Sequence, residues 1–319
     1  PPTANNVTAT YNREEHMASA TPPGGSSVVW YAAATGSTPS SAPARTIAGA
    51  NSAWAESVND ITGCKSATRT HVTVTIDPKP VTFEFTVEPT KVYDGGTLAN
   101  VLTRTLFGVI SPDVVTLTGG VANYDNKNVG TGKTVTLTGA TLSGADKDNY
   151  TLTGGKSSLT TTTADITRLD ITGHFTVPLS KVFDDGTLAT VLTRSLAGAI
   201  GGDNVSLTGG IANYDNKNVG TGKTVTLTGA GLSGSDEGNY TLTSVATTIA
   251  AITPLGLTGH FTVDATKIYD GGTLANVLTR TLTGVIGTDD VTMTGGTANY
   301  VNKHVGTGKT VTLTGMTLT

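Results

Sequence analysis

The chain has 319 residues, with 20 basic and 24 acidic side chains and a formal net charge of −4. This balance offers no basic field for a nucleic-acid backbone, and no apolar run is long enough for a transmembrane helix. We therefore expect no nucleic-acid partner and no membrane insertion of this segment, and the single cysteine, Cys64, leaves no internal disulfide.

The N-terminal residues differ in composition from the rest and contain both tryptophans, Trp30 and Trp54. Three strand-like runs alternate with loops rich in glycine, proline and serine: Val28–Tyr31, Ser52–Ala55 and Thr70–Ile76. "DPKPVTF" begins at Asp77, and two prolines in three residues do not continue a central strand. We therefore predict a separate small sandwich over residues 1–79. No charged and apolar leader follows Pro1, so we expect a mature or internal fragment of a longer protein.

The remainder of the chain is repetitive. "KVYDGGTLANVLTRTL" and two near copies begin at Lys91, Lys181 and Lys267. "NYDNKNVGTGKTVTLTGA" and its copies begin at Asn123, Asn213 and Asn299, with the same offsets of 90 and 86 residues. "LSGADKDNYTLT" from Leu142 has one counterpart, from Leu232. We predict repeats over residues 80–167, 168–254 and 255–319, the last incomplete at its C-terminal strand.

The segment "NVGTGKTVTLTG", from Asn128, has the Gly-Lys-Thr of a phosphate-binding loop. Such a loop needs a further glycine five positions before the Gly-Lys pair, where the three copies have lysine: Lys127, Lys217 and Lys303. The loop should also open a helix, whereas Thr134–Thr138 alternates polar and apolar residues as a strand does. "VGTGK" therefore predicts a tight turn that leads into a strand, and we expect no nucleotide ligand.

Short alternating runs separated by turn signals predict an all-β fold of tandem antiparallel β-sandwiches. The stretch Leu98–Phe107 is compatible with a short helix as well as with a strand. "ADITRLDITGHFTV" from Ala164 and "AAITPLGLTGHFTV" from Ala251 join the repeats without a Gly/Ser-rich tether. Because short connections limit bending, we expect the domains to form an elongated and fairly stiff rod.

An aromatic residue precedes an aspartate at a turn in every repeat. The residues of this turn motif are Tyr93, Asp94 and Gly95, then Phe183 and Asp184, then Tyr269, Asp270 and Gly271. The aromatic side chain is either a platform for a sugar or a core residue beside a turn. Phe183 lacks a hydroxyl, which favours packing, and the aspartates are predicted to cap the turn through their own backbone.

Two acidic clusters are candidate calcium sites. The candidate ligands are Asp146 and Asp148 in the first repeat, and Asp236 and Glu237 in the second. Calcium takes about six to eight oxygen ligands, which neither cluster supplies locally, so solvated turns are the favoured interpretation and we expect no other cofactor. Trp30 and Trp54 are candidates for stacking on a sugar, with a role in the core of a small sandwich as the favoured alternative.

Other chemistries have less support. A Lys–Asn isopeptide bond would join Lys91 to Asn123 or their copies, but we find no acid that recurs in phase with them except the turn aspartates. The Thr-x-Thr pairs recur once per repeat, which does not provide the stacked array of an ice-binding face. The scattered histidines predict no zinc site. No catalytic constellation is present, so we expect no enzymatic activity.

"KVYDGGT", "KVFDDGT" and "KIYDGGT", followed by "GTGKTVTLTG" and "NYTL", resemble the YDG-type repeats of large bacterial surface adhesins over roughly Val81–Thr319. The segment from Val28 to Ile76 is similar to an Ig-like module of secreted proteins from gliding Gram-negative bacteria. The resemblance implies an extracellular location at the bacterial cell surface. It also implies neighbouring domains or protomers as partners, with surface glycans or host ligands as further possibilities.

These observations favour a structural stalk segment of a repeat adhesin, which projects a binding tip or forms an extracellular filament. An array of carbohydrate-binding modules is the alternative. A further alternative is a filament subunit that exchanges strands, because the third copy of "LSGADKDNYTLT" should begin near Leu318 and the given sequence ends at Thr319. Either the chain continues or a neighbouring protomer donates the strand. In both cases the third repeat is expected to melt first or to self-associate when this piece is made alone.

Overall fold

The structure is a computed structural model that describes residues 1–153 and 160–319. These described residues contain strands and two short 3-10 turns, Lys147–Asn149 and Glu237–Asn239, and no α-helix. Consequently, no helix in the described part of the chain is long and apolar enough to cross a membrane. The all-β fold of tandem sandwiches is confirmed. The chain divides into two compact units, Pro1–Leu169 and Asp170–Thr319.

The first unit begins with the N-terminal domain. Its strands are β1 (Thr3–Ala4), β2 (Val7–Thr10), β3 (His16–Met17), β4 (Ala20–Thr21), β5 (Ser26–Tyr31), β6 (Pro39–Ser40), β7 (Ala44–Arg45), β8 (Gly49–Asn59) and β9 (Thr70–Asp77). The main sheet has the order β2-β9-β8-β5-β6. Val72, Val74 and Ile76 alternate along β9 and are buried, because successive side chains of a strand point to opposite faces. The strand-like runs of the sequence all lie within β5, β8 and β9.

The first repeat completes the first unit. Its strands are β10 (Lys79–Val87), β11 (Thr90–Val92), β12 (Leu98–Ala99), β13 (Val101–Phe107), β14 (Thr116–Tyr124), β15 (Gly130–Ser143), β16 (Tyr150–Leu152) and β17 (Thr160–Thr167). Among the described residues it has two sheets, β13-β10-β16 and β11-β17-β15-β14-β12. Val81, Phe83 and Phe85 of β10 are buried, as are Val135 and Leu137 of β15. Most pairs are antiparallel, while β10–β16 and β11–β17 are parallel.

The second unit begins with the second repeat, which has the same architecture. Its strands are β18 (Leu169–Thr176), β19 (Ser180–Val182), β20 (Leu188–Ala189), β21 (Thr193–Ala197), β22 (Ser206–Tyr214), β23 (Gly220–Ser233), β24 (Tyr240–Val245) and β25 (Thr248–Thr253). The sheets have the orders β21-β18-β24 and β19-β25-β23-β22-β20. Val225 and Ile252 lie in a core cluster between them. The in-phase sequence landmarks therefore fold alike.

The third repeat has fewer strands in the described residues. They are β26 (Thr258–Val263), β27 (Leu274–Ala275), β28 (Val277–Thr283), β29 (Met293–Tyr300) and β30 (Val311–Leu318). They form the sheets β26-β28 and β27-β29-β30. A small core of Ala275, Met293, Ala298 and Leu313 lies between the sheets.

Three local expectations can be compared with the fold. Leu98–Phe107 forms β12 and β13, so the helix interpretation is wrong. "VGTGK" is not itself the tight turn, because residues 125–129 make the turn and β15 already begins at Gly130. Gly132, with φ 59°, instead shifts the register of β15 against β17 as a bulge does. Pro80 is the second residue of β10, the central strand of its sheet, so the prediction that these prolines do not continue a central strand is wrong for Pro80. Only Pro78 separates β9 from β10.

Candidate functional site

The aspartate of the turn motif caps the turn in all three repeats. Asp94 accepts a hydrogen bond from the Gly96 N–H at 2.9 Å and forms an ion pair with Lys91 at 2.8 Å. Burial acts to raise the pKa of Asp94, but the hydrogen bonds from Lys91 and Gly96 outweigh it and lower the pKa. Asp184 and Asp270 accept equivalent backbone bonds at 3.0 and 2.9 Å. The motif thus fixes the backbone where "DGG" or "DDG" turns the chain.

The second position of the turn requires a left-handed backbone. Gly95 and Gly271 have φ values of 78° and 84°, a region that glycine enters at no steric cost. Asp185 stands there in the second repeat with φ 62°, which a short polar residue tolerates better than most. The variation between "DGG" and "DDG" therefore leaves the turn geometry unchanged.

The aromatic residue of the motif has different surroundings in the three repeats. Tyr93 is only 2% exposed, and Phe183 packs against the core of the second repeat. Tyr269 is 60% exposed. In the first repeat the N–H of Tyr93 donates to Thr167 at the end of β17, and the described residues of the third repeat contain no counterpart of that strand. The packing role therefore applies to the first two copies.

This difference gives a prediction about stability. Tyr93→Ala should cost about 3–5 kcal/mol of unfolding free energy, the usual loss for a large buried aromatic side chain. The matched change Tyr269→Ala should cost less than about 0.5 kcal/mol, because the side chain is largely exposed. Scanning calorimetry of the full chain would measure both variants. Equal losses would contradict the assignment of Tyr93 to the core.

The lysine of "GTGK" folds back onto the turn before it. Lys133 is 8% exposed and its ammonium group donates to Asn126 at 2.8 Å and pairs with Asp125 at 2.9 Å. Lys223 repeats both contacts in the second repeat. A phosphate-binding lysine must face an open loop, and these lysines do not.

The calcium candidates are engaged in local contacts. Asp146 and Asp236 accept the backbone N–H groups of Val114 and Asn204, each at 2.8 Å. Asp148 pairs with the neighbouring lysine at 2.7 Å, and Glu237 lies in the first turn of a 3-10 segment. The described residues contain no group of three or more His, Cys, Asp or Glu side chains that could hold a metal ion. Calcium binding stays a prediction without a preformed cluster in this part of the chain.

The two tryptophans lie on opposite faces of the N-terminal sheet. Trp30 packs against the core cluster that includes Val72 and Val74. Trp54 pairs with His71, with ring centroids 4.6 Å apart and planes inclined at 45°. Both indoles are half-buried. Trp30 therefore has the packing role, and sugar stacking by Trp54 stays a prediction.

The proposed isopeptide partners have other contacts. Lys91 donates to the carbonyl oxygens of Gly96 and Leu98, at 3.0 and 2.9 Å. The side-chain oxygen of Asn123 accepts a hydrogen bond from Thr97 at 3.0 Å. These bonds give both residues a noncovalent role beside the turn, which accounts for their recurrence.

A buried polar cluster joins the N-terminal domain to the first repeat; we call it the first joint. The Asp113 side chain is 5% exposed and pairs with Arg13 at 3.0 Å. Its carboxylate also accepts hydrogen bonds from the hydroxyl groups of Tyr11, at 2.8 Å, and Tyr150, at 2.5 Å. The two tyrosine rings meet edge to face, with centroids 5.4 Å apart. One carboxylate thus receives donors from both domains.

The charge state of the first joint follows from these contacts. Burial acts to raise the pKa of Asp113, but the hydroxyl groups of Tyr150 and Tyr11 and the charge of Arg13 lower it. Burial, together with the hydrogen bond to Asp113, raises the pKa of each tyrosine to about 12. At neutral pH an ionised carboxylate therefore accepts two neutral phenols and one guanidinium group.

The sequence analysis missed this aspartate. The acids Asp113, Asp203 and Asp289 recur at the same offsets of 90 and 86 residues as the other landmarks, so the statement that only the turn aspartates recur in phase was wrong. Asp203 repeats the contact inside the second repeat, because its carboxylate accepts the Tyr240 hydroxyl at 2.5 Å. Aligning the three copies position by position would have revealed it.

The family comparison bears on the same repeats. The model of the YDG domain matches residues 77–164, 162–249 and 253–319. The chain belongs to the YDG domain family. The model described as "Ig-like domain CHU_C associated" matches residues 1–78 of the YDG chain, so the suspected order of an Ig-like module followed by YDG repeats is confirmed.

The other comparisons add little. No curated protein matches the YDG chain. Among solved structures, the N-terminal four Ig domains of Dscam1 isoform 9.44 (with zinc) are 11% identical, with a TM-score of 0.20 and coverage of 79% of this chain and 72% of that chain. Isoform 4.44 has the same identity and coverage, with a TM-score of 0.19. At such scores the likeness supports no inference about the YDG chain.

Proposed function

We propose that this YDG chain is a non-catalytic stalk segment of a bacterial cell-surface or secreted repeat adhesin, located outside the cell. The observation that carries the proposal is the first joint, where successive domains share a buried carboxylate and are separated by a single residue, Pro78. A joint of this kind resists bending, whereas a flexible tether does not. Its partners are neighbouring domains or protomers, and the tip that it projects carries the ligand specificity.

The internal construction of the repeats supports the same function. Each of the first two repeats has its own core between two sheets in the described residues. Strands at the start and at the end of the repeat pair in the same sheet, as β11 and β17 do. A unit that is closed in this way can be added in tandem without rebuilding its neighbours.

Small-angle scattering of the full chain tests this proposal. We expect a radius of gyration well above the ~20 Å of one globule of this length. A matched variant with a Gly/Ser linker inserted after Pro78 should broaden the distribution of interatomic distances, since it removes the short connection. A radius of gyration near ~20 Å for the unmodified chain would overturn the stalk proposal.

A strand-exchanging filament subunit is the second candidate, and the third repeat supplies the observation that favours it. Ile268 is 92% exposed and Val305 is 88% exposed. Together with Tyr269 and Tyr300 they line a cavity of about 450 Å³ beside β30. We call the exposed side chains of Ile268, Tyr269 and Val305 the apolar margin. Because they lie beside the edge strand of a sheet, a strand of another chain can pair there.

A further inference from the structure

The surface of the first repeat that faces the N-terminal domain accepts hydrogen bonds from that domain. Asp113 receives Tyr11 and Arg13 of the N-terminal domain. Asn149, which is 7% exposed, accepts the backbone N–H of Ala48 at 2.9 Å. In these three contacts across the joint the acceptors belong to the repeat and the donors to the domain before it. The two surfaces are therefore complementary in polarity.

The same aspartate position lies at a second joint, inside the second unit. Asp289 occupies the position of Asp113, and its N–H donates to the carbonyl of Ile286 at 3.3 Å as that of Asp113 does to Ile110 at 2.9 Å. The loop of the third repeat reaches the second repeat here, because the Asp185 carboxylate lies 3.9 Å from where a side chain at Gly287 would begin. The first and the third repeat thus present this aspartate on the side of the domain that precedes them within the same unit.

A cation of the preceding domain faces the aspartate at this joint too. Lys217 of the second repeat donates to Asp185. The hydrogen bond to Asp185 is the main cause of the raised pKa of Lys217, and the negative charge of Asp289 also raises this pKa. Lys217 therefore lies within electrostatic reach of Asp289, but its direct ion pair is with Asp185 of its own repeat, whereas Arg13 pairs directly with Asp113 at 3.0 Å.

We propose that Asp113 in the first repeat and Asp289 in the third each form a docking site on the side of the repeat that faces the preceding domain. Each site accepts a hydrogen bond or an ion pair from a cationic or hydroxyl side chain of that domain. The occupant is the domain that precedes the repeat in this chain: the N-terminal domain at Asp113 and the second repeat at Asp289. This assignment goes beyond the stalk function and does not depend on it. The order of the domains is then specified by contacts between their surfaces as well as by the covalent chain.

The first joint can be tested without disturbing the core of the repeat. The double variant Tyr11→Phe, Arg13→Met keeps side chains of similar length and removes the hydroxyl and guanidinium donors. We expect residues 1–77 to tumble faster than residues 80–153 in NMR relaxation of the full chain, and their melting temperature to fall by roughly 5 °C or more. Arg104→Met is the charge-matched control, because the exposed Arg104 donates to the Gly119 carbonyl within the same repeat. Unchanged tumbling and melting in the double variant would overturn the proposal.

The second joint has a control at the neighbouring residue. Asp289→Asn should lower the pKa of Lys217 in an NMR titration of the full chain, because the negative charge that favours the ammonium form is removed. Asp290→Asn changes the same charge at the exposed position that follows and should leave the pKa of Lys217 closer to its original value. Equal effects of the two variants would refute a specific docking role for Asp289. Because neither readout depends on overall shape, both remain valid if scattering refutes the stalk.

Discussion

Appending a copy of Gly234–Thr253 after Thr319 is expected to raise the melting temperature of the third repeat by at least about 10 °C. The copy is in phase, since Thr319 occupies the position of Ser233. It would bury Tyr269, whose equivalent Tyr93 is 2% exposed, and would cover part of Ile268, whose equivalents Val92 and Val182 are 55% and 53% exposed. Burying each large apolar side chain contributes about 1.5–3 kcal/mol, and the added strand also brings copies of Ala250 and Ile252, which are buried in the second repeat.

The first two repeats specify the register of the added strand. In the first repeat Lys133 and Gly130 of β15 face Ala164 and Ile166 of β17. In the second repeat the corresponding pairs are Lys223 with Ala250 and Gly220 with Ile252. The copy of Ala250 should therefore pair with Lys309, and the copy of Ile252 should pair with Gly306. Amide exchange in the extended chain should show protection at these positions.

A sequence-matched control separates strand addition from a general effect of length. The same extension with aspartate at the copied positions of Ala250 and Ile252 should give no stabilisation, because charges would enter the apolar margin. The free peptide Thr248–Thr253 tests whether the strand also binds when it is not covalently attached. If the third repeat of the unextended chain proves as resistant to protease as the second in a monomeric sample, the uncovered margin has no energetic consequence.

Replacing Gly144 by alanine is expected to destabilise the first repeat by about 2–6 kcal/mol. Gly144 has φ 115°, and an added Cβ would lie 2.1 Å from the carbonyl oxygen of Val114. The substitution therefore combines backbone strain of about 1–3 kcal/mol with an overpacking cost of about 1–3 kcal/mol. The close approach exists because Asp146, two residues later, holds the Val114 N–H.

Gly139→Ala is the matched control, since Gly139 has φ 74° but open space around its Cβ position. It should cost only the torsional part, about 1–2 kcal/mol. Calorimetry of the full chain would compare the two variants with the unsubstituted protein. Equal losses would show that the approach to Val114 contributes nothing and that backbone conformation accounts for the whole effect.

Local alternation predicted the strands well where one face is buried. β10 illustrates this, since Phe83 and Phe85 are buried while the intervening Glu84 is exposed. The same pattern says nothing about direction, because parallel and antiparallel strands share a two-residue period. The parallel pairs β10–β16 and β11–β17 join segments far apart in the sequence and required the structure.

The candidate site was harder to predict than the fold. The turn aspartates act through residues two positions away, so their capping role could be read locally. Asp113 acts on Tyr11, 102 residues earlier in the chain, and its neighbours differ between copies, which obscured its recurrence. The exposure of Tyr269 depends on a strand that pairs only in the other repeats, and no property of "KIYDGG" itself indicates it.

The parallel pairing of β11 with β17 has a mechanical consequence. These strands lie near the two ends of the repeat and run in the same direction, so tension applied to the ends pulls them past each other along their length. The hydrogen bonds of Lys91 and its neighbours with the Asp165–Thr167 segment cross that direction. They are loaded together in shear instead of one after another as in an unzipping hairpin. The strand order that closes the core therefore also forms a clamp against extension.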